Sequence, residues 1–266
     1  MQDTLNRVIE IVRKAAEITL EPIRSIDQKD GYTNIVTSAD KAVQDFLCKE
    51  LKQVLPESGF ICEEEDFHTQ GNGEYTWIID PIDGTANFAR HIPEFAISVA
   101  LKHLDNIVLG VVYNPLKDEL FTATKGGKAF RNGKEISVSK RPFADSLFCT
   151  AMSIYNKKYA QVCSDIIMET YYQCNDVRRF GTCALELCYL AAGQCDLFFE
   201  YRVMPWDFAA ASLILTEAGG IITDRSGNPL DTSRPTMLVG ANTAENHKKL
   251  SGITDKYTSP NYYEYK

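Results

Sequence analysis

Apolar residues recur at helical spacing from the start of the chain. Leu5, Val8, Ile9, Val12, Ala16 and Leu20 predict an amphipathic helix over 4–21, ending near Pro22. Residues 25–36 read as a loop entering a short strand, with Asp27, Lys29, Asp30 and Gly31 solvated. Thr37 fits a helix N-cap with Asp40 three residues on, and Val43, Phe46, Leu47 and Leu51 line the buried face of the next helix. Pro56 ends it. Residues 59–62 predict a strand running into Glu63, Glu64, Glu65 and Asp66; residues 67–75 are a polar loop in which His68 is a surface residue. Strand-like runs at 95–102, 106–113 and 119–124, separated by turn dipeptides, predict an antiparallel meander.

The second half alternates. A strand over 144–152 precedes a helix within 155–173 and a strand over 176–180. Thr182 caps a helix over 183–192; a strand follows at 196–199, ending at Glu200. Trp206 and Asp207 open a small-residue helix closed by Gly219 and Gly220, and strands follow near 221–223 and 236–240. From Asp255 the four tyrosines show no periodicity, which predicts a surface-laid or disordered tail. Helical pairs beside a meander make the class α+β and layered, without a regular βαβ array.

Residues 77–88, WIIDPIDGTANF, hold the densest chemistry. Trp77, Ile78 and Ile79 predict a buried strand, and Pro81, with no N–H, predicts that the chain turns just after Asp80. Asp80, Asp83 and the carbonyl of Ile82 offer hard oxygen ligands for a divalent cation. Gly84 and Thr85, at the start of a helix, offer N–H groups to an anion. Asp-Pro and Asp-Gly are also ordinary turn dipeptides, so this stretch alone reads equally as a turn. Glu63, following a neighbouring strand, and Asp207, opening a distant helix, bring further acids. Asp40 reads as a first-turn acid in a capping arrangement.

Composition narrows the classes. The chain has 266 residues, 44% hydrophobic and 24% charged, with a formal net charge of −8. That length predicts one domain of two tightly packed lobes, roughly 1–143 and 144–266. The acidic balance argues against a general nucleic-acid or membrane-surface binder. No apolar run approaches the roughly 20 residues a membrane span requires, and the charged N-terminus does not read as a signal peptide. The eight cysteines are scattered with no CxxC pair, which predicts reduced thiols in a cytoplasmic protein.

Two motifs together decide the resemblance: DPxDGTxNF from Asp80 to Phe88, and Trp206–Asp207 followed by eleven residues and Gly219–Gly220. The sequence resembles the inositol monophosphatase family, Mg²⁺-dependent and lithium-sensitive phosphatases, from the first helix to about residue 250. The GVVYNP run at 110–115 and RRFGT at 178–182 belong to the likeness. The resemblance implies a layered α-β-α-β-α sandwich of the inositol monophosphatase and fructose-1,6-bisphosphatase type. It implies that Glu63, Asp80, Ile82, Asp83 and Asp207 hold two or three Mg²⁺ ions, with paired ions about 3.5–4 Å apart. Glu63 and the Thr85 hydroxyl would orient the attacking water, with Asp40 accepting a hydrogen bond from Thr85. Gly84 and Thr85 would hold the phosphate, and Glu64 would stand behind the ligands.

On the substrate side, the resemblance implies Gly181, Thr182, Cys183, Glu200 and Asp83. Three residues depart from the family pattern: Cys62 replaces a frequent glycine, Cys183 a frequent alanine, and Arg202 adds a charge near the expected sugar side. The implied activity is hydrolysis of inositol monophosphate or a related sugar phosphate by a single domain acting as a homodimer. Fructose-1,6-bisphosphatase, histidinol phosphatase and nucleotide 3′-phosphatase are alternatives within the fold. A regulatory protein-binding factor is the alternative from another class.

Overall fold

The computed structural model describes residues 1–23, 25–28, 35–64, 69, 71–152 and 157–258. The elements run α1 (Gln2–Thr19), β1 (Ile26–Gln28), β2 (Ile35–Thr37), α2 (Ser38–Val54), β3 (Gly59–Cys62), β4 (Tyr75–Asp83) and α3 (Thr85–Phe88). The meander follows as β5 (Ala96–His103), β6 (Asn106–Asn114), β7 (Glu119–Thr124), β8 (Ala129–Arg131) and β9 (Lys134–Ile136). Then come β10 (Leu147–Thr150), α4 (Ala160–Tyr171), β11 (Asp176–Arg178), α5 (Cys183–Ala191), β12 (Leu197–Val203) and α6 (Pro205–Glu217). The last three are β13 (Ile221–Thr223), β14 (Thr236–Ala241) and α7 (Ala244–Thr258).

A 7-stranded sheet takes β3 to β9 in chain order, and a 5-stranded sheet has the order β11-β10-β12-β14-β13. In the larger sheet only β3 and β4 pair in parallel. Helices α1 and α2 pack on one face of it, and α6 on the other. Helix α5 lies beside α6 and meets β12 of the smaller sheet, whose far side carries α4 and α7. The result is the α-β-α-β-α layering.

Strand alternation builds these layers. Trp77, Ile79, Ile97, Val99, Leu101, Leu109 and Val111 join one apolar cluster with α1 and α2. Their neighbours Ile78, Ala96, Ala100 and Val112 join another with α5 and α6. Small residues on that inner face let α6 approach closely. A Cβ at Gly110 would lie 2.5 Å from the Ala210 carbonyl oxygen. Helix α6 is buried continuously from Phe208 to Leu215, with Asp207, Thr216 and Glu217 at its two ends.

Four expectations need correction. Strand β4 does not stop at Asp80; it runs to Asp83, which pairs with Ala96 after Asp80 pairs with Ser98. The extra residue forms a bulge, which is how a sheet accommodates Pro81, and the turn comes at Gly84, with φ of +92°. Strand β12 continues past Glu200 to Val203. Helix α7 extends to Thr258 instead of giving way at Asp255, because Leu250, Ile253, Thr254 and Thr258 form one buried face. Finally, β8 and β9 occupy a stretch read only as turns. The expected loop residues Lys29, Asp30 and Gly31, and Glu65, Asp66 and His68, lie outside the described residues.

Candidate active site

Parallel pairing of β3 with β4 sets Cys62 beside Ile79, so the next residues, Glu63 just past the end of β3 and Asp80 still within β4, lie side by side. The Glu63 N–H donates to the Ile79 carbonyl at 3.2 Å, which keeps the two chains together past the last strand pair. One residue on, Gln44 of α2 clamps the Glu64 peptide: its side-chain N–H donates to the Glu64 carbonyl at 3.1 Å, and its oxygen accepts from the Glu64 N–H at 3.0 Å. Asp80 is buried, and its Oδ1 accepts from the Ile82 N–H at 3.0 Å across the bulge.

Asp83 joins this turn to α5. Its Oδ2 accepts from the Thr182 hydroxyl and from the Ala184 N–H, the latter at 2.7 Å. Thr182 caps α5 and accepts weakly from the Leu185 N–H at 3.4 Å. Asp207 sits in the first turn of α6, where its Oδ2 accepts from the Met204 N–H at 3.0 Å. Three separate segments thus deliver acids to one region.

Each of these acids acts on the titration of its neighbours. Burial pushes the Asp80 carboxyl well above the usual range, and the negative charges of Glu63, Asp83 and Asp207 push it further. Burial likewise raises Asp207, helped by Asp83, Glu63 and Glu200. Asp83 rises to about 7 from burial despite the hydrogen bonds from Thr182 and from the Ala184 and Cys183 backbone, with Glu63 adding to the rise. Among the described residues none of the three Asp carboxylates forms an ion pair with a basic side chain. Nor are three or more acidic, His or Cys side chains there closed into a ready-made cage. Buried hard oxygens without basic partners fit Mg²⁺.

Thr85 stands between two acceptors. Its Oγ1 is 3.2 Å from Asp40 Oδ1 and 3.0 Å from the Ile82 carbonyl oxygen. A hydroxyl has one proton, so it donates to one of these and keeps lone pairs to accept from another donor. Asp40 completes the capping box of α2: its Oδ2 accepts from the Thr37 N–H at 2.8 Å and the Thr37 hydroxyl at 2.5 Å. Burial pushes Asp40 up to about 7 in spite of these bonds.

Opposite the acids, Gly181, Thr182 and Cys183 lead into α5, and Glu200 lies on β12. Cys183 is buried, and its thiol is pushed up by burial and then by Glu200 and Asp83. Burial raises Glu200 to about 8, Glu186 and Asp83 add to the rise, and Arg179 opposes it. Both Arg179 and Arg202 are exposed, and of the two it is Arg179 whose charge opposes the rise of Glu200.

The model of the inositol monophosphatase family matches residues 2–259. The chain belongs to the inositol monophosphatase family. It is 39% identical over 241 residues to inositol monophosphatase 2 of Solanum lycopersicum, covering 87% of this chain and 91% of that one. It is 36% identical over 232 residues to the Nus factor SuhB of Salmonella typhimurium, covering 85% and 87%. The crystal structure of the extragenic suppressor protein suhB from Bartonella henselae superposes with a TM-score of 0.87 at 32% identity, over 96% of this chain and 99% of that chain.

In this family member the motif acids were readable from the sequence, but the side chains that hold them were not. Gln44 looked like a polar helix position. Asn87 stood inside the motif without a role, and Arg179 was hidden in RRFGT. Glu186 carried one legible signal: it is the single acid in CALELCYLA, a helix buried along its whole length.

Proposed function

We propose that this chain is a Mg²⁺-dependent phosphomonoesterase that releases inorganic phosphate from inositol monophosphate or a related sugar phosphate. The observation that carries the reading is the meeting of Glu63, Asp83 and Asp207 around the buried Asp80, beside a Thr85 hydroxyl 3.2 Å from Asp40. Bound Mg²⁺ would supply charge to the phosphoryl oxygens and lower the pKa of a water, held by those acids and the Ile82 carbonyl.

The chain's own groups do the rest. Asp40 takes the Thr85 proton in a hydrogen bond, so the Thr85 oxygen accepts from the attacking water and aims it. Glu63 is the second acceptor for that water. The N–H groups of Gly84 and Thr85 hold phosphate oxygens. Thr182 and the start of α5 orient Asp83. Glu200 and the Gly181–Thr182 edge accept and donate hydrogen bonds to sugar hydroxyls, and a carboxylate left unpaired there disfavours substrates lacking them.

The test is phosphate release with Mg²⁺ from inositol 1-phosphate, fructose 1,6-bisphosphate, histidinol phosphate and adenosine 3′,5′-bisphosphate. Preference for the inositol ester supports the reading; no release from any of the four by folded protein overturns it.

A second reading is favoured by one observation, the similarity to proteins named Nus factor SuhB. It makes the chain a regulatory protein-binding factor. Binding to transcription proteins that survives Asp83→Asn, in a protein with no phosphatase activity, would support it.

A further inference from the structure

The peptide between Phe180 and Gly181 is gripped from two sides. Asn87 Nδ2 donates to the Phe180 carbonyl at 2.7 Å and to the Glu94 carbonyl at 2.7 Å. From α5, Glu186 Oε1 accepts from the Phe180 N–H at 2.6 Å and from the Gly181 N–H at 3.0 Å. Glu186 is 1% exposed, so its only value to the fold is what it bonds. Gly181 has φ of +83°, a conformation costly for other residues, and a Cβ there would meet Asn87 Nδ2 at 3.1 Å. A Cβ on Gly84 would meet the Gly181 carbonyl oxygen at 3.3 Å, so the two turns lie back to back.

Asn87 sits within α3, the short helix that follows Asp83, and Thr182 donates to Asp83. The clasp therefore ties the carboxylate turn to the edge that faces the sugar in the reading above, and the inference rests on that reading. We propose that Glu186 and Asn87 are positioning residues that fix the Phe180–Gly181 backbone, and through it the preference for a ring polyol phosphate over a small acyclic phosphate ester. A ring that presents several hydroxyls needs this edge held to a few tenths of an ångström. A small ester engages only the carboxylate turn.

The two variants at Glu186 separate geometry from charge. Glu186→Gln loses the charge but keeps a side-chain oxygen for both N–H groups. Glu186→Leu is similar in size and leaves both N–H groups without that acceptor. KM and kcat are measured with Mg²⁺ for inositol 1-phosphate and glycerol 2-phosphate, alongside hydrogen exchange of the Phe180 and Gly181 amides. Glu186→Leu should raise KM for the inositol ester about tenfold, change the glycerol ester much less, and speed exchange at both amides. Glu186→Gln should stay close to wild type in all three. Asn87→Ala, acting from the opposite side, should move the KM ratio in the same direction, and it carries the test if Glu186→Leu fails to fold.

An unchanged KM ratio in a folded Glu186→Leu protein overturns the inference alone. So does an equal loss with both esters, or a Glu186→Gln protein that behaves like Glu186→Leu. A wild-type protein that releases phosphate from neither ester overturns the phosphatase reading, and this inference with it.

Discussion

Thr85 and Asp40 lie 45 residues apart in the chain, and their side chains meet at 3.2 Å. The same Asp40 closes the capping box of α2, so one carboxylate fixes a helix start with one oxygen and faces the Thr85 hydroxyl with the other. Capping and function are not competing readings of this residue. Thr85→Ala should lower kcat about 10²-fold, the low end for a lost proton-handling group. Mg²⁺ affinity, measured by calorimetry, should change little. A large loss of Mg²⁺ affinity with kcat preserved would place Thr85 among the ligands.

Glu186 gives the fold a pH dependence. Burial raises its pKa from 4.5 to about 8, against the pull of the Gly181 and Phe180 N–H groups. Between those values the folded protein holds a proton that the unfolded chain releases. The folded state therefore loses stability as pH rises from about 4.5 to about 8, on the order of a few kcal/mol at most from this residue. Denaturant unfolding at pH 5 and pH 8 should show a smaller pH difference in Glu186→Gln than in wild type. Equal differences would mean that the proton is not held there.

The contact of β6 with α6 should tolerate no side chain at position 110. Gly110→Ala places a Cβ 2.5 Å from the Ala210 carbonyl oxygen, a backbone atom that cannot swing aside. Overpacking of this kind costs about 1–3 kcal/mol. Thermal unfolding should show Tm lowered by several degrees, and an unchanged Tm would mean that the layers can part at little cost.

Arg179, not Arg202, should matter on the substrate side. Removing Arg179 lets Glu200 hold its proton more firmly and weakens it as an acceptor for sugar hydroxyls. Arg179→Ala should raise KM for inositol 1-phosphate a few-fold, whereas Arg202→Ala should leave it within about twofold. The reverse order would move Arg202 into the site.

Much of this was legible in the chain. The strand periods, the Thr37 and Thr182 caps and the acids at Glu63, Asp80, Asp83 and Asp207 follow from local patterns. What could not be read depends on contacts far apart in sequence. Pro81 sits in a strand because the bulge opposite β5 absorbs it, which no local rule indicates. Thr258 is helical because its face is buried, although the tyrosines around it suggested a loose tail. Gln44, Asn87 and Glu186 each bond to backbone from another segment, and a side chain that grips distant backbone leaves no periodic trace.

The most direct measurement is Mg²⁺-dependent phosphate release from inositol 1-phosphate by wild-type protein, Asp83→Asn and Asp207→Asn, with folding checked by circular dichroism. The account predicts that the wild type is active only with Mg²⁺, and that each variant loses most turnover and binds Mg²⁺ more weakly. Near-wild-type turnover in both folded variants would contradict it.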